Sequence, residues 1–312
     1  MKDEEKKDKA SLISRPGSPR SSLIPHPSSL RNPSSFPSRR AKKSLGQNFL
    51  TDERVAARIV EALGPREDET IIEIGPGRGA LTSHLLKKAG RVVAVEIDFH
   101  LAEGLRGQFA ANSNLQLLEA DALDTDFCAL VAPERSARVV ANLPYNISTP
   151  ILQRLIGQRA CLSEMVLMLQ REVVERLTAP PGSAERGYLS VLVEAYCERE
   201  ALFDVAPQAF RPVPKVWSTV ARLKFRQQSA VEVEEEELLW RLVGAGFAQR
   251  RKTIFNNLRS ASGELFSRLD RAGGARSALE AAEIEPSRRA ETLKLEEWGA
   301  LARALEQTTN QH

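Results

Sequence analysis

The sequence predicts an α/β protein, a mostly parallel sheet with helices on both faces, followed by a small all-helical domain. Three observations predict it. Short β-branched runs alternate with amphipathic stretches from Thr51 to Ala195, the pattern of successive βαβ units. A glycine-rich turn, Gly75-Pro-Gly77-Arg-Gly79, directly follows the first of these runs. Beyond Arg226 the remaining periodic stretches read as helices, with no strand signal between them. With 312 residues, 42% of them apolar and 27% charged, the chain has the composition of a globular protein of one large or two smaller domains. No apolar run is long enough for a membrane helix.

Taken in order, residues 1–40 hold ten Ser and six Pro and read as a disordered tail. This tail has no apolar stretch of the kind a secretory signal needs, and its opening acids (Asp3, Glu4, Glu5, Asp8) argue against a transit peptide. It carries nine Lys/Arg against four Asp/Glu, whereas the rest of the chain holds 35 against 37. The positive balance therefore belongs to the tail, and nucleic-acid binding by the body must rest on local patches. Helical spacing marks 51–63, with Thr51 or Asp52 as N-cap. A strand is expected at 70–75, a helix at 79–89, a strand at 91–97, a helix near 100–110, and strands at 115–119 and 137–141. Runs 165–169 and 189–195 fit strand or helix. Helices are expected within 231–247, 252–258, 264–269 and 293–305. The domain boundaries so read are 41–226 and 231–306. The Glu234–Glu237 run reads as a solvated helix start rather than a metal site. Cys128, Cys161 and Cys197 stand far apart in sequence and four His are scattered. That argues against a disulfide scaffold or zinc site and suits a reducing compartment, with the cysteines as small buried hydrophobes.

The turn after the first strand carries the first chemistry. Its glycines let the backbone bend sharply and a ligand approach without a Cβ in the way. Glu96 ends the second strand and can accept hydrogen bonds from two ribose hydroxyls; Asp121, after the third, is placed to meet an adenine amino group. The glycine spacing alone also admits a dinucleotide. After the fourth strand comes Asn142-Leu143-Pro144-Tyr145. An exocyclic adenine amine is a poor nucleophile because its lone pair is delocalised into the ring. The Asn142 oxygen and a backbone carbonyl at Leu143–Pro144 can hold its two N–H groups, and Tyr145 offers a face to the base. A dehydrogenase has no use for this tetrapeptide, so the glycine turn reads as a site for S-adenosyl-L-methionine rather than NAD.

Several motifs in register now make a resemblance specific: Lys43-Ser-Leu-Gly-Gln-Asn-Phe-Leu50, Glu73–Thr82, Val95–Asp98, Asp121-Ala122, Asn142–Pro150, Gln170-Arg-Glu-Val, Leu189-Ser-Val-Leu-Val193, Phe210-Arg-Pro-Val-Pro-Lys-Val216 and Gln249–Leu258. The chain resembles the ribosomal RNA adenine N6,N6-dimethyltransferase family of the small subunit. The resemblance implies a Rossmann-like, S-adenosylmethionine-dependent methyltransferase sheet of seven strands and a small helical C-terminal domain. It implies that Asn48, Leu50, Gly75, Glu96, Asp121 and Asn142 hold the cofactor, and that Asn142, Leu143, Pro144 and Tyr145 form the catalytic turn. Phe210 would stack on the base opposite Tyr145, unless it is a core aromatic. The implied substrate is a pair of adjacent adenines in a 3′-terminal hairpin loop, on an immature small ribosomal subunit in the cytoplasm; a monomer without metal is expected. The chain departs from the family pattern at Val213, often Pro, and at Trp217, often Asp. Basic residues expected at the RNA are Lys42, Lys43, Arg211, Lys215, Arg250, Arg251 and Lys252; each neutralised phosphate would add salt sensitivity. Two rivals stay open: a large-subunit adenine methyltransferase of the antibiotic-resistance type, and a non-catalytic RNA-binding assembly factor.

Overall fold

The computed structural model describes residues 48–132, 136–144 and 147–309. The readings for the tail, Lys42, Lys43 and Tyr145 lie outside these residues. The first element is a two-residue strand, β1 (Phe49–Leu50). Helix α1 (Glu53–Leu63) follows, with Asp52 as N-cap accepting from Arg54 N–H and Gly64 closing it in the left-handed region. Its Ala56, Ile59, Val60 and Leu63 form the buried stripe that the spacing predicts.

The strands are β2 (Thr70–Ile74), β3 (Arg91–Glu96), β4 (Leu115–Glu119), β5 (Ala137–Asn142), β6 (Leu162–Gln170), β7 (Cys197–Val205), β8 (Phe210–Arg211) and β9 (Ser218–Phe225). Seven of them form one sheet in the order β4-β3-β2-β5-β6-β9-β7. From β4 to β6 all neighbours are parallel; β9 runs antiparallel to β6 and to β7. β2 is buried along its whole length, as a central parallel strand covered on both faces must be. β1 and β8 form a separate antiparallel pair, Phe49 opposite Arg211 and Leu50 opposite Phe210.

The helices between strands are α2 (Thr82–Leu85), α3 (Phe99–Gln108), α4 (Phe127–Val131), α5 (Ser148–Gly157), α6 (Arg171–Thr178) and α7 (Tyr188–Tyr196). The run 165–169 is strand and 189–195 is helix. α2 is far shorter than the helix expected over 79–89, with turns over 77–81 and 86–88 on either side of it. The sequence reading missed α4, α5, α6, β7 and β9, and also the later helix over Gly274–Ala281. β7 alternates charged and half-buried residues on a sheet edge, so its apolar signal is weak.

Helices α8 (Glu236–Gly246), α9 (Ile254–Arg259), α10 (Gly263–Arg271), α11 (Gly274–Ala281) and α12 (Leu295–Thr309) complete the described residues. Their core is continuous with that of the sheet. Trp240 Nε1 donates to the Tyr196 hydroxyl at 3.0 Å, and Arg159 grips both oxygens of Glu236 at 2.8 and 3.0 Å. Within the acidic run, Glu235 pairs with Arg268 and Glu237 with Arg241.

One expectation is corrected. Cys128 and Cys161 form a disulfide, their Cα atoms 5.3 Å apart; only Cys197 is a free, buried thiol. Their separation of 33 positions in sequence said nothing about distance in space. The Gln158 side-chain oxygen accepts from the N–H groups of Phe127 and Cys128, which brings the end of α5 beside α4. Burial pushes the Cys197 thiol up to about 12, which keeps it protonated.

Candidate active site

A cleft of about 950 Å³, counted to its open mouth, lies at the carboxyl ends of β2, β3, β4 and β5. The chain order reverses between β2 and β5, and such a switch point is where open α/β sheets bind ligands. Gly75, Gly77, Glu96, Asp121 and Asn142, which the sequence singles out from four separate strand ends, all line it.

The glycine turn is held in a shape that side chains resist. Gly75 has φ +66° and Gly77 φ +58°, both left-handed. A Cβ on Gly77 would meet the Phe49 ring at 3.1 Å. Phe49 thus packs against the turn, with the Arg78 guanidinium 4.7 Å above its ring. Glu96 braces the turn from the next strand. Its Oε2 accepts from Gly77 N–H and its Oε1 from Asp98 N–H, each at 3.0 Å. Each oxygen has further lone-pair capacity, so the carboxylate can still take two hydroxyls from the cleft. Burial raises the Glu96 pKa, against the pull of these two N–H groups.

A second acid, which the sequence reading quoted but gave no role, lies behind the turn. Glu73 is 1% exposed. Its Oε2 accepts from the Thr82 hydroxyl at 2.7 Å, and its Oε1 is buried without a partner among the described residues. Burial, with Glu96 nearby, pushes its pKa to about 7. Such a group ties the turn to α2 at an electrostatic cost.

On the opposite wall, Asp121 Oδ1 accepts from Leu123 N–H at 2.8 Å and its carbonyl from the Thr125 hydroxyl at 2.7 Å. This local turn fixes the carboxylate at the cleft. Arg154 and Gln158 of the α5 end both donate to the Thr125 carbonyl, so the acid's loop is clamped from behind.

The Asn142 turn closes the third side. The Asn142 amide N–H donates to the Asn48 carbonyl at 3.2 Å, which makes Oδ1 the acceptor end of that side chain. Leu143 N–H is held by the Met168 carbonyl at 3.2 Å. The Pro144 carbonyl accepts from Ile147 N–H and the Ser148 hydroxyl, which start α5. Of the two carbonyls proposed for the turn, Pro144's is therefore spent on the helix.

Several expected residues lie elsewhere. Leu50 turns into the core, and its neighbour Phe49 lines the cleft instead. Successive side chains of a strand point to opposite faces, and the β1–β8 register puts Phe49 on the cleft side. Phe210 is also corrected. It is 1% exposed and packs among Leu50, Val140 and Val220, so it is a core aromatic with no face offered to a base. Arg250 is exposed but donates to the Ala184 and Arg186 carbonyls, a bond within the protein. Arg211 donates to the carbonyls of Gln208 and Phe210 and stays exposed. Lys215, Arg251 and Lys252 lie on the surface. Among the described residues no cluster of His, Cys, Asp or Glu could hold a metal, and no helix is long and apolar enough to cross a membrane.

Comparison with known proteins decides what this cleft belongs to. The family model for ribosomal RNA adenine dimethylase matches residues 38–300. The chain belongs to the ribosomal RNA adenine dimethylase family. It is 46% identical over 268 residues to the ribosomal RNA small subunit methyltransferase A of Geobacter sulfurreducens, covering 85% of this chain and 95% of that protein. To the protein of that name from Chromohalobacter salexigens it is 44% identical over 276 residues, covering 87% and 94%. The crystal structure of a dimethyladenosine transferase from Plasmodium falciparum shares the fold, with a TM-score of 0.71 over 84% of this chain and 98% of that one, at 23% identity. The 23S rRNA methyltransferase ErmE superimposes with a TM-score of 0.62 at 27% identity, over 83% of this chain and all of that one. The dimethylase sheet and its Asn142 turn are thus the parts that the sequence motifs had marked.

Proposed function

We propose that this dimethylase transfers methyl groups from S-adenosylmethionine to N6 of adenine in small-subunit ribosomal RNA. Two adjacent adenines of the 3′-terminal hairpin loop each receive two. The observation that carries the reading is the convergence of Glu96, Asp121 and the Asn142 oxygen on one cleft. The first two match the ribose hydroxyls and the amine of an adenosyl group, and the third stands where a second adenine would enter. Asn48, just before β1, and Gly75 and Gly77 of the turn complete the holder.

When bound, S-adenosylmethionine supplies an electrophilic methyl carbon. The protein's own part is orientation. The target N6 donates one N–H to Asn142 Oδ1 and the other to the Leu143 carbonyl, Pro144's being engaged by α5. Both acceptors draw on N–H bonds and so turn the nitrogen lone pair toward the cofactor side. No side chain here needs to act as a strong base, because the proton leaves after the methyl arrives. Tyr145 follows the turn directly and would stack on the base. A hairpin loop suits this geometry, since its bases can be splayed out. The cytoplasm is where such a subunit is assembled.

The small subunit is favoured over the large because relatives at 42–46% identity carry the small-subunit name, whereas ErmE stands at 27%. The intact Asn142 turn favours an enzyme over a binding factor. Labelled S-adenosylmethionine should transfer methyl groups to undermethylated small subunits and give N6,N6-dimethyladenosine on digestion. Label appearing only in large-subunit RNA would overturn the substrate.

A further inference from the structure

This protein hides two of its three tryptophans completely: Trp240 is 2% exposed and Trp298 0%, both in the helical core. Trp217 is 46% exposed. It ends a short connection, residues 212–217, in which Val213 and Val216 are exposed too and Lys215 lies between them. An indole carries a large apolar surface, so leaving one outside forgoes much burial and points to a contact made elsewhere.

The topology says where that contact is. The connection leaves β8 at Arg211, which is paired with Phe49 of the cleft wall. It enters β9 at Ser218, paired with Gln170 at the carboxyl end of β6. β6 is the neighbour of β5, with Met168 opposite Asn142. The exposed segment therefore spans the rim of the sheet beside the Asn142 turn. Its last residue is also fixed. The Trp217 carbonyl accepts from Arg171 N–H at 3.0 Å, and the Arg171 guanidinium lies 4.9 Å over the indole. That guanidinium is anchored on Asp204 at 2.6 Å, and Asp204 also accepts from the Thr219 hydroxyl at 2.6 Å. One face of the ring is thus covered by a held cation, which leaves the ring's exposed area for a partner.

We propose that Trp217 is a stacking platform for a single-stranded nucleotide flanking the target adenine, with Arg211 and Lys215 beside its phosphates. This rests on the RNA reading given above and adds a substrate contact to it. The cations argue for the occupant: a base on the ring and phosphates on the exposed Arg211 and Lys215 of the same rim segment match a single-stranded nucleotide.

The test uses the full chain, wild type against Trp217→Ala and Trp217→Phe, on undermethylated small subunits. Trp217→Ala is expected to raise KM for the subunit about tenfold, with kcat within about twofold. Trp217→Phe should recover most of the loss, and affinity for S-adenosylhomocysteine should stay unchanged in both. A naked RNA hairpin of the target sequence should quench the wild-type indole emission, and Trp217→Phe should abolish the quenching. Unchanged KM in Trp217→Ala, with wild-type methylation intact, overturns the platform and leaves the function standing. A raised KM without quenching by naked RNA assigns the rim to a protein of the subunit and overturns it as well. A wild-type enzyme that methylates no ribosomal RNA removes the function and this inference together.

Discussion

Replacing Glu96 by Gln probes the cleft most sharply, because one carboxylate does two jobs there. Its two oxygens hold the N–H groups of Gly77 and Asp98, and the residue lines the cleft. A glutamine can present only one oxygen, so one of the two N–H groups would confront an NH2. An unsatisfied buried donor costs about 1–3 kcal/mol, and a hydrogen bond to a charged acceptor is worth about 1.5–3 kcal/mol net. The first cost falls on the free protein and should lower its stability. The second appears only with ligand, so the Kd for S-adenosylhomocysteine should rise roughly 10- to 100-fold. Calorimetric titration measures the binding loss, and urea unfolding of the unliganded protein measures the stability loss. A variant that binds as tightly as wild type would refute the placing of the ribose on Glu96.

Other predictions follow from the same wall. Gly77→Ala forces a Cβ at φ +58° against the Phe49 ring, and a left-handed residue with a side chain costs about 1–2 kcal/mol; denaturant unfolding should show that loss, with weaker ligand binding. Glu73 has a folded pKa of about 7 against an ordinary 4.5, so its folded form holds a proton that the unfolded chain releases. Its stability contribution is full below about 4.5 and is lost as pH rises to about 7, a fall of roughly 3 kcal/mol. Glu73→Gln cannot titrate, so its stability relative to wild type should climb across that window in urea titrations at stepped pH; parallel curves would refute the buried-acid reading.

What could be read from the sequence divides along physical lines. Glu96, Asp121 and Asn142 were legible because strand ends in a parallel sheet bring them to one edge whatever the loops do. Gly75 and Gly77 were legible because glycine adopts that left-handed backbone without the cost a side chain brings. Leu50 was misplaced because which side of a two-residue strand faces the cleft depends on its pairing with β8, 160 residues away. Phe210 was misplaced by its motif, since an aromatic next to a ligand-binding turn is also the residue best suited to fill the core beneath it. The Cys128–Cys161 bond depends on how α5 returns to α4, which no local pattern encodes. The role of Glu73 was hidden because its environment is tertiary: nothing in the motif says that one oxygen is buried without a partner.

The central claim is that Asn142 orients the target amine and does not merely shape the cleft. Single-turnover methyl transfer to undermethylated small subunits, at saturating cofactor, compares wild type with Asn142→Ala directly. Removing one oriented hydrogen-bonding group of this kind should slow transfer by about 100-fold or more, with S-adenosylhomocysteine affinity within about threefold of wild type. An Asn142→Ala enzyme that forms N6,N6-dimethyladenosine at the wild-type rate would contradict the account.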